Sequence, residues 1–463
     1  MSNLLKALPL FVITALLPLL HPLLGKASEQ PLPVSVAKTL DAMLQCERPA
    51  GGWMYACDRS ERVAGFTTVM RRAEQIAGAM GLATWDLIVL RSPGTPAAGL
   101  LLLRAHQLAH EEKYLDAARR AGDLLVNIQL SSGGWFSEMP VYGNQLAWWF
   151  RLVVPGTTLD DDVTSGAVRF LLSLWETTGD SRYRDSAVRA LDLLQTAQLP
   201  SGAWPLTWRP AWRRVFSSSF EEWPSLNDAA TVGPIYACID GARSLQRPEL
   251  LAAANRGGEW LIHARHPAPN AGWSQQYAPD GRPAPGRRFE PTGLATWESR
   301  HALEVLQTLA EATGEQRFCS PFPETVAWLR RSALSPGCWA RLYAVDSNSP
   351  VYMDQQGNFV PTAEQAKRPY RWTGDFGIPA FFASLGLDTT GHRLSTDVSP
   401  NEATWYLPGD TGDCPTSTAG QAKDIHTLGP RARIAEAGSK LARLTPPRLS
   451  ACAPLLLMEG REE

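Results

Sequence analysis

The chain has 463 residues, 44 Lys plus Arg against 46 Asp plus Glu, a formal net charge of -2 and 44% hydrophobic residues. This composition is typical of a folded globular protein and excludes a disordered or fibrous chain. The near-zero net charge provides no global basic field, which argues against nucleic-acid binding. There are 17 Trp, and only 7 of the basic residues are Lys, which leaves 37 Arg. Arg matches carboxylates with two parallel hydrogen bonds, and Trp offers flat apolar faces that suit sugar rings.

The N-terminal segment has the pattern of an export signal. Lys6 precedes an apolar run over 7–24 that ends in Gly25-Lys26-Ala27, a small-residue cleavage site. Three prolines within the run favour a cleaved signal peptide, residues 1–27, over a membrane anchor. We therefore expect a secreted or periplasmic protein. A membrane anchor is the less favoured alternative.

The chain has seven cysteines, an odd number, and none is spaced as a C-x-x-C metal ligand pair. Outside the cytoplasm some of them are expected to form disulfides, for example Cys46 with Cys57 or Cys319 with Cys338. Sequence spacing leaves the connectivity open.

An internal repeat organises the middle of the chain. A Gly-x-Trp motif recurs at Trp135, Trp204 and, with Cys between, Trp339, and the related Ala-Gly-Trp precedes and includes Trp273; the spacings of the four tryptophans are 69, 69 and 66 residues. Before each of these tryptophans lie two stretches with the 3.6-residue period of amphipathic helices. The predicted helices span 99–110, 113–130, 165–178, 181–199, 229–245, 249–263, 292–313 and 323–334.

Each unit is thus a helix hairpin followed by a turn and a long loop. A single hairpin cannot bury its apolar faces alone, so the units are expected to stack. The sequence predicts an all-α protein, an α/α toroid over residues 28–385 with long loops and short irregular or β segments at one end; an open superhelix is the alternative. Trp135 and Trp204 are interpreted as plugs between hairpins. A sugar-stacking surface is the interpretation for Trp273, with Trp208, Trp212 and Trp223.

Acidic residues recur at the start of two of these helices. Asp160 follows Trp135 by 25 residues and Asp228 follows Trp204 by 24, so we expect the two acids at equivalent corners of the toroid. N-capping would explain a single Asp. Three consecutive acids at 160–162 repel one another, and a hard cation with oxygen ligands relieves that repulsion. Asp160, Asp161 and Asp228 are therefore candidate Ca²⁺ ligands.

The loops after Trp273 and Trp339 are basic instead. They contain Arg287 and Arg288, then Arg341 and the cluster Lys367-Arg368. Acids in two repeat loops and arginines in the other two predict a cleft that holds an anionic ligand together with a bridging cation.

Several ordered strings resemble polysaccharide lyase family 10, the pectate lyases with an α/α toroid, over about residues 35–385. The residues that carry this resemblance are Gly272-Trp273-Ser274-Gln275-Gln276-Tyr277, Arg287-Arg288-Phe289-Glu290-Pro291, Glu298-Ser299, Trp339-Ala340-Arg341-Leu342-Tyr343 and Asn348-Ser349-Pro350.

The resemblance implies Ca²⁺-dependent cleavage of polygalacturonate by β-elimination. It implies that Asp160 and Asp228 contact calcium, that Arg287 is the base and that Arg368 grips a uronate carboxylate. Asn227, Trp273, Arg288 and Arg341 are the further candidates for substrate binding. The ligand is an anionic polysaccharide, and no protein partner or nucleic acid is implied.

The chain departs from the family pattern. Asp161 replaces the family's Asn, and Phe136-Ser137 and Leu206 stand in its Gly-Gly-Trp-Pro-Gln strings. Another uronate polymer therefore remains an alternative substrate. An inactive carbohydrate-binding relative is an alternative function.

A terpenoid cyclase, which also has Gln and Trp repeats, is less favoured because Leu159 breaks the acidic Asp-x-Asp-Asp string. Residues 386–463 are rich in Pro, Thr, Ser and Gly with a basic stretch, and we interpret them as a tail packed on the toroid or partly disordered.

Overall fold

The structure is a computed structural model that describes residues 31–54, 57, 85–153, 156–210, 220–366, 371–388, 391, 430–442 and 450–453. The predicted signal peptide, Trp212 and Arg368 lie outside these residues. None of the helices within these ranges is long and apolar enough to cross a membrane.

Helix hairpins build the described part of the chain. The helices are α1 (Val34–Leu44), α2 (Thr95–Ala109), α3 (Glu112–Ile128), α4 (Phe150–Val153), α5 (Val163–Thr178), α6 (Ser181–Ala197), α7 (Val232–Leu245), α8 (Pro248–Ala264), α9 (Thr296–Thr313), α10 (Phe322–Arg331), α11 (Ala363–Ala366), α12 (Ile378–Ser384) and α13 (Pro430–Ala442). All eight helices predicted from periodicity are confirmed with shifts of a few residues at their ends. Gly179 and Gly314 end α5 and α9 in the left-handed conformation, as their positions in the sequence predict.

The hairpins are arranged around a centre. The first helices α2, α5, α7 and α9 pack successively against one another, and each also packs against its own second helix, α3, α6, α8 or α10. The chain therefore has an inner and an outer layer of helices, and the prediction of an α/α toroid is confirmed.

Short strands lie in the loops between hairpins. They are β1 (Asp86–Val89), β2 (Glu138–Tyr142), β3 (Gln145–Leu146), β4 (Thr157–Thr158), β5 (Thr207–Trp208), β6 (Gln276–Tyr277), β7 (Pro283–Ala284), β8 (Leu294–Ala295), β9 (Ala333–Ser335), β10 (Cys338–Ala340), β11 (Leu342–Tyr343), β12 (Pro350–Met353), β13 (Phe359–Val360) and β14 (Thr373–Gly374). They pair antiparallel in small sheets of two to four strands. These sheets fix the loops that follow the repeat tryptophans.

The repeat tryptophans join each outer helix to the next hairpin. The indole nitrogens of Trp135, Trp204, Trp273 and Trp339 donate to carbonyl oxygens near the end of the preceding outer helix, at 2.7 to 2.9 Å. All four side chains are at most 1% exposed. The interpretation of Trp135 and Trp204 as plugs is confirmed.

A fifth repeat, which the sequence analysis missed, begins the toroid. Trp53 follows two glycines, and its indole nitrogen donates to the carbonyl of Met43 at 2.9 Å, at the end of α1. Its backbone N–H donates to Thr95 Oγ1 at 3.1 Å, at the start of the next inner helix. Helix α1 is therefore the outer helix of a first hairpin.

The inner partner of α1 comes from the other end of the chain. Helix α13 packs against both α1 and α2, and its Arg433 donates to the carbonyl of Ala42 at 2.7 Å. Beyond it, Ser450 N–H donates to Ser384 at the end of α12. The segment assigned to a tail thus contacts both the first and the last hairpins and closes the ring.

The disulfides follow this closure. Cys46 pairs with Cys57, as the sequence analysis suggested. The suggested pair of Cys319 with Cys338 is wrong, because Cys319 pairs with Cys452. These two cysteines, separated by 133 positions in the sequence, come together only when the last segment returns to the end of α9, which local spacing does not reveal. Cys238 is buried and unpaired in α7.

Candidate functional site

Two loops at one end of the toroid have the same pattern of backbone hydrogen bonds. Thr158 N–H donates to the Trp135 carbonyl at 2.9 Å, and Ser225 N–H donates to the Trp204 carbonyl at 3.1 Å. Six residues later Thr164 and Thr231 each return a hydroxyl hydrogen bond, both at 2.7 Å.

These hydrogen bonds set the register between the two repeats. They make Asp161 the equivalent of Asp228, and Asp160 the equivalent of Asn227. The sequence alignment of Asp160 with Asp228 is therefore wrong by one residue. Because the intervening loops differ in length, counting from the tryptophans could not find the true register.

The acidic residues are held in an uncommon conformation. Asp161 and Asp162 have φ of 51° and 56°, and the equivalent Asp228 and Ala229 have φ of 49° and 64°. Two successive non-glycine residues in the left-handed region cost energy, and such conformations cluster at functional sites. The N-capping explanation fails. Asp162 and Thr231 occupy the N-cap positions of α5 and α7, and neither side chain makes a capping hydrogen bond.

Three carboxylates converge at this corner. Asp160, Asp161 and Asp228 each offer one oxygen, and the three oxygens lie within 4.8 Å of one another. The N–H of Asp161 donates to the carbonyl of Asp228 at 2.6 Å, which ties the two loops together. The predicted candidate ligands are thus brought into one cluster.

The cluster is electrostatically strained. Burial, followed by the charges of Asp161 and Asp228, raises the pKa of Asp160 well above its ordinary value. Burial and then Asp228 raise the pKa of Asp161 to about 6. A divalent cation would remove this repulsion, and three carboxylate oxygens suit a hard cation such as Ca²⁺. The residues present therefore fit a metal centre.

Arg287 faces the same cluster. Its Nη1 lies 2.7 Å from Glu290 Oε1 and 3.4 Å from Asp228 Oδ2, and its Nη2 lies 3.8 Å from Asp160 Oδ2. Its backbone N–H also donates to Glu290 at 2.7 Å. Since Glu290 is 2% exposed, it fixes the guanidinium in place. Glu290 belongs to the motif at 287–291, but the motif alone did not predict this role for it.

The opposite side of the cluster holds a second arginine that the sequence analysis missed. Arg91 Nη1 lies 3.4 Å from Asp161 Oδ2, and its Nε lies 3.0 Å from Glu138 Oε1. Arg431, at the start of α13, donates a hydrogen bond to the carbonyl oxygen of Ser92. The N–H of Ser92 in turn donates to the carbonyl oxygen of Asp161 at 2.8 Å. No motif surrounds these residues, and Arg431 reaches the acids only because α13 packs against α1 and α2.

Several predicted substrate ligands prove to be buried behind the site. Asn227 is 1% exposed; its amide donates to Glu290 at 3.2 Å and accepts from Gln275 at 3.1 Å. Arg341 is 5% exposed and pairs with the buried Glu298 at 3.5 Å. Both predictions are corrected, since these polar groups are committed to neighbours within the protein.

The remaining predicted residues lie apart from the cluster. Trp273 is 0% exposed and serves as a plug like the other repeat tryptophans; its interpretation as a sugar-stacking surface is wrong. Arg288 is exposed, with its stem against Gly357 in the β12–β13 turn. Asp162, the third consecutive acid, points away toward the inner helices, near Gly166 and Gly233. Burial raises its pKa to about 6.

Taken together, these features define an α/α toroid with an acidic cluster and a fixed arginine at one end. Residues 144–336 match the family model described as pectic acid lyase. That range contains Asp160, Asp161, Asp228 and Arg287, so the resemblance drawn from sequence motifs is confirmed for the middle of the chain.

Solved structures are similar to the chain as follows. A family 10 polysaccharide lyase from Cellvibrio cellulosa is 20% identical, with 61% of this chain and 94% of that one covered and a TM-score of 0.48. A mutant of a family 10 polysaccharide lyase from the same organism, in complex with trigalacturonic acid, is 18% identical with the same coverage and a TM-score of 0.47. Cellobiose 2-epimerase from Spirochaeta thermophila is 14% identical over 88% of this chain and 99% of that one, with a TM-score of 0.49. No curated protein matches the chain in sequence.

Proposed function

We propose that this protein is a calcium-dependent polysaccharide lyase that cleaves polygalacturonate or a related uronate polymer by β-elimination. The observation that carries the proposal is the convergence of Asp160, Asp161 and Asp228 with Arg287 at one corner of the toroid. The match of residues 144–336 to the pectic acid lyase family supports the reaction class.

In this proposal the three aspartates hold the cation. A bound Ca²⁺ would pull electron density from the substrate carboxylate and so acidify the neighbouring C5 proton. The protein contributes fixed geometry, because the two acidic loops are locked by backbone hydrogen bonds and cannot spread to relieve their repulsion. Arg91 partly balances the negative charge from the far side.

Arg287 is the proposed base. During elimination the C5–H bond breaks, its electrons form the C4–C5 double bond, and the C4–O bond breaks with its electron pair leaving on the sugar oxygen, which takes a proton from solvent water. Arg287 must be neutral to take that proton, whereas its contacts with Asp160 and Asp228 favour the charged form. Asp160 and Asp228, if they held a cation, would attract Arg287 less, and the added positive charge would disfavour protonated Arg287. Glu290 would keep the guanidinium at a fixed position in both states.

We also propose that the protein is exported. The signal-like pattern at residues 1–27 supports this, as do the disulfides Cys46–Cys57 and Cys319–Cys452, since such bonds persist in oxidising compartments.

The direct test is to incubate the purified protein with polygalacturonate and Ca²⁺ at alkaline pH and to follow the ultraviolet absorbance of the unsaturated product. Activity is expected to vanish with a chelator and in Arg287→Ala. Arg243→Ala is the matched control, because Arg243 is 73% exposed near the end of α7, in the last turn and away from the acidic loops.

Two results would contradict the proposal. One is a wild type that binds oligogalacturonate without forming unsaturated product, which would instead identify an inactive carbohydrate-binding relative. The other is a turnover rate that a chelator and Arg287→Ala leave unchanged.

A further inference from the structure

An open cleft of about 620 Å³ has Gly286, the residue before Arg287, in its lining. Its described lining includes the aromatic rings of Phe220 and Trp223, the guanidinium of Arg282, and a run of small or apolar residues at Pro283, Pro285 and Gly286. The volume falls within the range of about 300–1,000 Å³ typical of ligand pockets. None of these residues belongs to the acidic cluster or its supports.

The first wall of the cleft is fixed in place. Residues 220–222 form a single 3₁₀ turn, and Trp223 N–H donates to the Phe220 carbonyl at 3.0 Å. The buried side-chain amide of Gln276 fixes this turn, because it donates to the carbonyl oxygens of Phe220 at 3.0 Å and Pro224 at 3.2 Å. Because the backbone is held at both ends, the aromatic rings form a preformed ledge.

The second wall is the β6–β7 hairpin and the strand that leaves it. Gln276–Tyr277 pairs with Pro283–Ala284, and Ala278 N–H donates to the Arg282 carbonyl at 2.8 Å. Gly286 N–H then donates to the Glu290 carbonyl at 3.0 Å. The hairpin thereby places the exposed Arg282 in the lining of the same cleft as the aromatic ledge.

Both walls run directly into the candidate site. The first continues from Trp223 to Asp228, and the second continues from Gly286 to Arg287. Their ends meet where Arg287 Nη1 lies 3.4 Å from Asp228 Oδ2. A polymer bound at that corner therefore has the cleft as its continuation.

We propose that this cleft is a second sugar-binding subsite, in which a uronate residue of the bound polymer stacks on Trp223 and pairs its carboxylate with Arg282. The inference rests on the proposed function, because it assumes that the polymer occupies the corner at Arg287. Apolar sugar faces suit aromatic rings, and Phe220, Pro283 and Pro285 supply further apolar surface.

Arg282 is able to exchange its present partner, Asp280, for a substrate carboxylate. Its guanidinium now lies 2.6 Å from Asp280, but the two side chains are 84% and 49% exposed. An exposed ion pair of this kind contributes little, so replacing Asp280 by a substrate carboxylate costs little. The subsite therefore selects for charged rather than neutral sugar chains.

The test compares a long and a short substrate. Trp223→Ala is expected to raise KM for octagalacturonate roughly three- to tenfold, with kcat unchanged, and to change KM for trigalacturonate by less than about twofold. Trp223→Phe should retain most of the affinity for octagalacturonate. Arg282→Gln should weaken octagalacturonate binding by about two- to threefold and reduce its dependence on salt.

The matched control is Trp175→Ala, since Trp175 is equally half-buried but lies near the C-terminal end of α5, away from the acidic loops. Thermal unfolding of each variant verifies that it is folded. An unchanged KM for octagalacturonate in a folded Trp223→Ala protein would overturn the subsite.

Direct binding separates this inference from the proposed function. Calorimetry and tryptophan fluorescence with octagalacturonate need no turnover. If the wild type binds but does not cleave, the lyase proposal fails, and a weaker affinity in Trp223→Ala still supports the subsite. If the wild type does not bind octagalacturonate, or if Trp223→Ala binds it equally well, the subsite is refuted.

Discussion

Asp161→Asn in the calcium-free protein measures how much the crowded carboxylates destabilise the fold. The folded pKa of Asp161 is about 6, against an ordinary value of 3.8. Between these values the folded protein keeps a proton that the unfolded chain has released, so its stability falls as the pH rises through that window. Above about pH 6 Asp161 is ionised in both the folded and the unfolded state. The total loss in the free energy of unfolding is then on the order of 3 kcal/mol.

The corresponding change in melting temperature can be worked out from the chain length. Unfolding entropy of about 2.1 cal/mol/K per residue gives roughly 1 kcal/mol/K for a chain of this size, so the shift is about 3 °C. We expect chelated wild type to melt about 3 °C below Asp161→Asn near neutral pH, and the difference to disappear near pH 4.

The assay is thermal unfolding across this pH range, with a chelator and then with Ca²⁺. Calcium should raise the melting temperature of wild type above pH 6 and have much less effect on Asp161→Asn. Asp185→Asn is the control, because Asp185 is 52% exposed on α6. A melting-temperature difference between wild type and Asp161→Asn that does not change with pH would refute the reasoning.

Three further outcomes follow from contacts in the structure. Glu290→Gln should lower kcat about tenfold or more without loss of calcium-induced stabilisation, because Glu290 orients Arg287 and holds no cation. Initial rates of this variant are compared with those of Glu311→Gln, a control at an exposed position. Cys452→Ser should destabilise the protein by about 5 kcal/mol in the chain-entropy estimate for so long a loop, and equal denaturation midpoints for the variant and wild type would contradict it. Gly202→Ala should destabilise by about 1–3 kcal/mol because its φ is 98° and a Cβ would lie 2.4 Å from the Arg256 carbonyl, whereas Gly179→Ala, with open space around it, should cost less in the same urea titration.

The sequence predicted the regular part of the fold well because that part depends on local patterns. Helical periodicity located eight helices, and the Gly-x-Trp motif located the plugs that join them. Trp53 was missed because its repeat is split, with one helix at each end of the chain. The pairing of Cys319 with Cys452 was missed for the same reason.

The candidate site was predicted in part. The three aspartates and Arg287 come together as expected, because equivalent loops of a toroid emerge at one end. Burial is what the sequence could not supply: Asn227, Arg341 and Trp273 read as surface ligands, yet each is enclosed by neighbours from other repeats. Arg91 had no motif at all, and its role depends on the register between loops rather than on its own surroundings.

The closure by α13 has a consequence for how the molecule comes to be folded. Most hairpins unite helices that adjoin in the chain, but the contact of Arg433 with Ala42 spans 391 residues. Bringing such distant segments together has a high entropic cost and is expected to be slow. Helix α1 cannot pair with its partner until α13 has been synthesised, so this seam of the ring closes after the hairpins between the two helices. Arg431 and the Ser92 loop lie along that seam, and we expect the acidic corner to be among the final parts of the protein to become ordered.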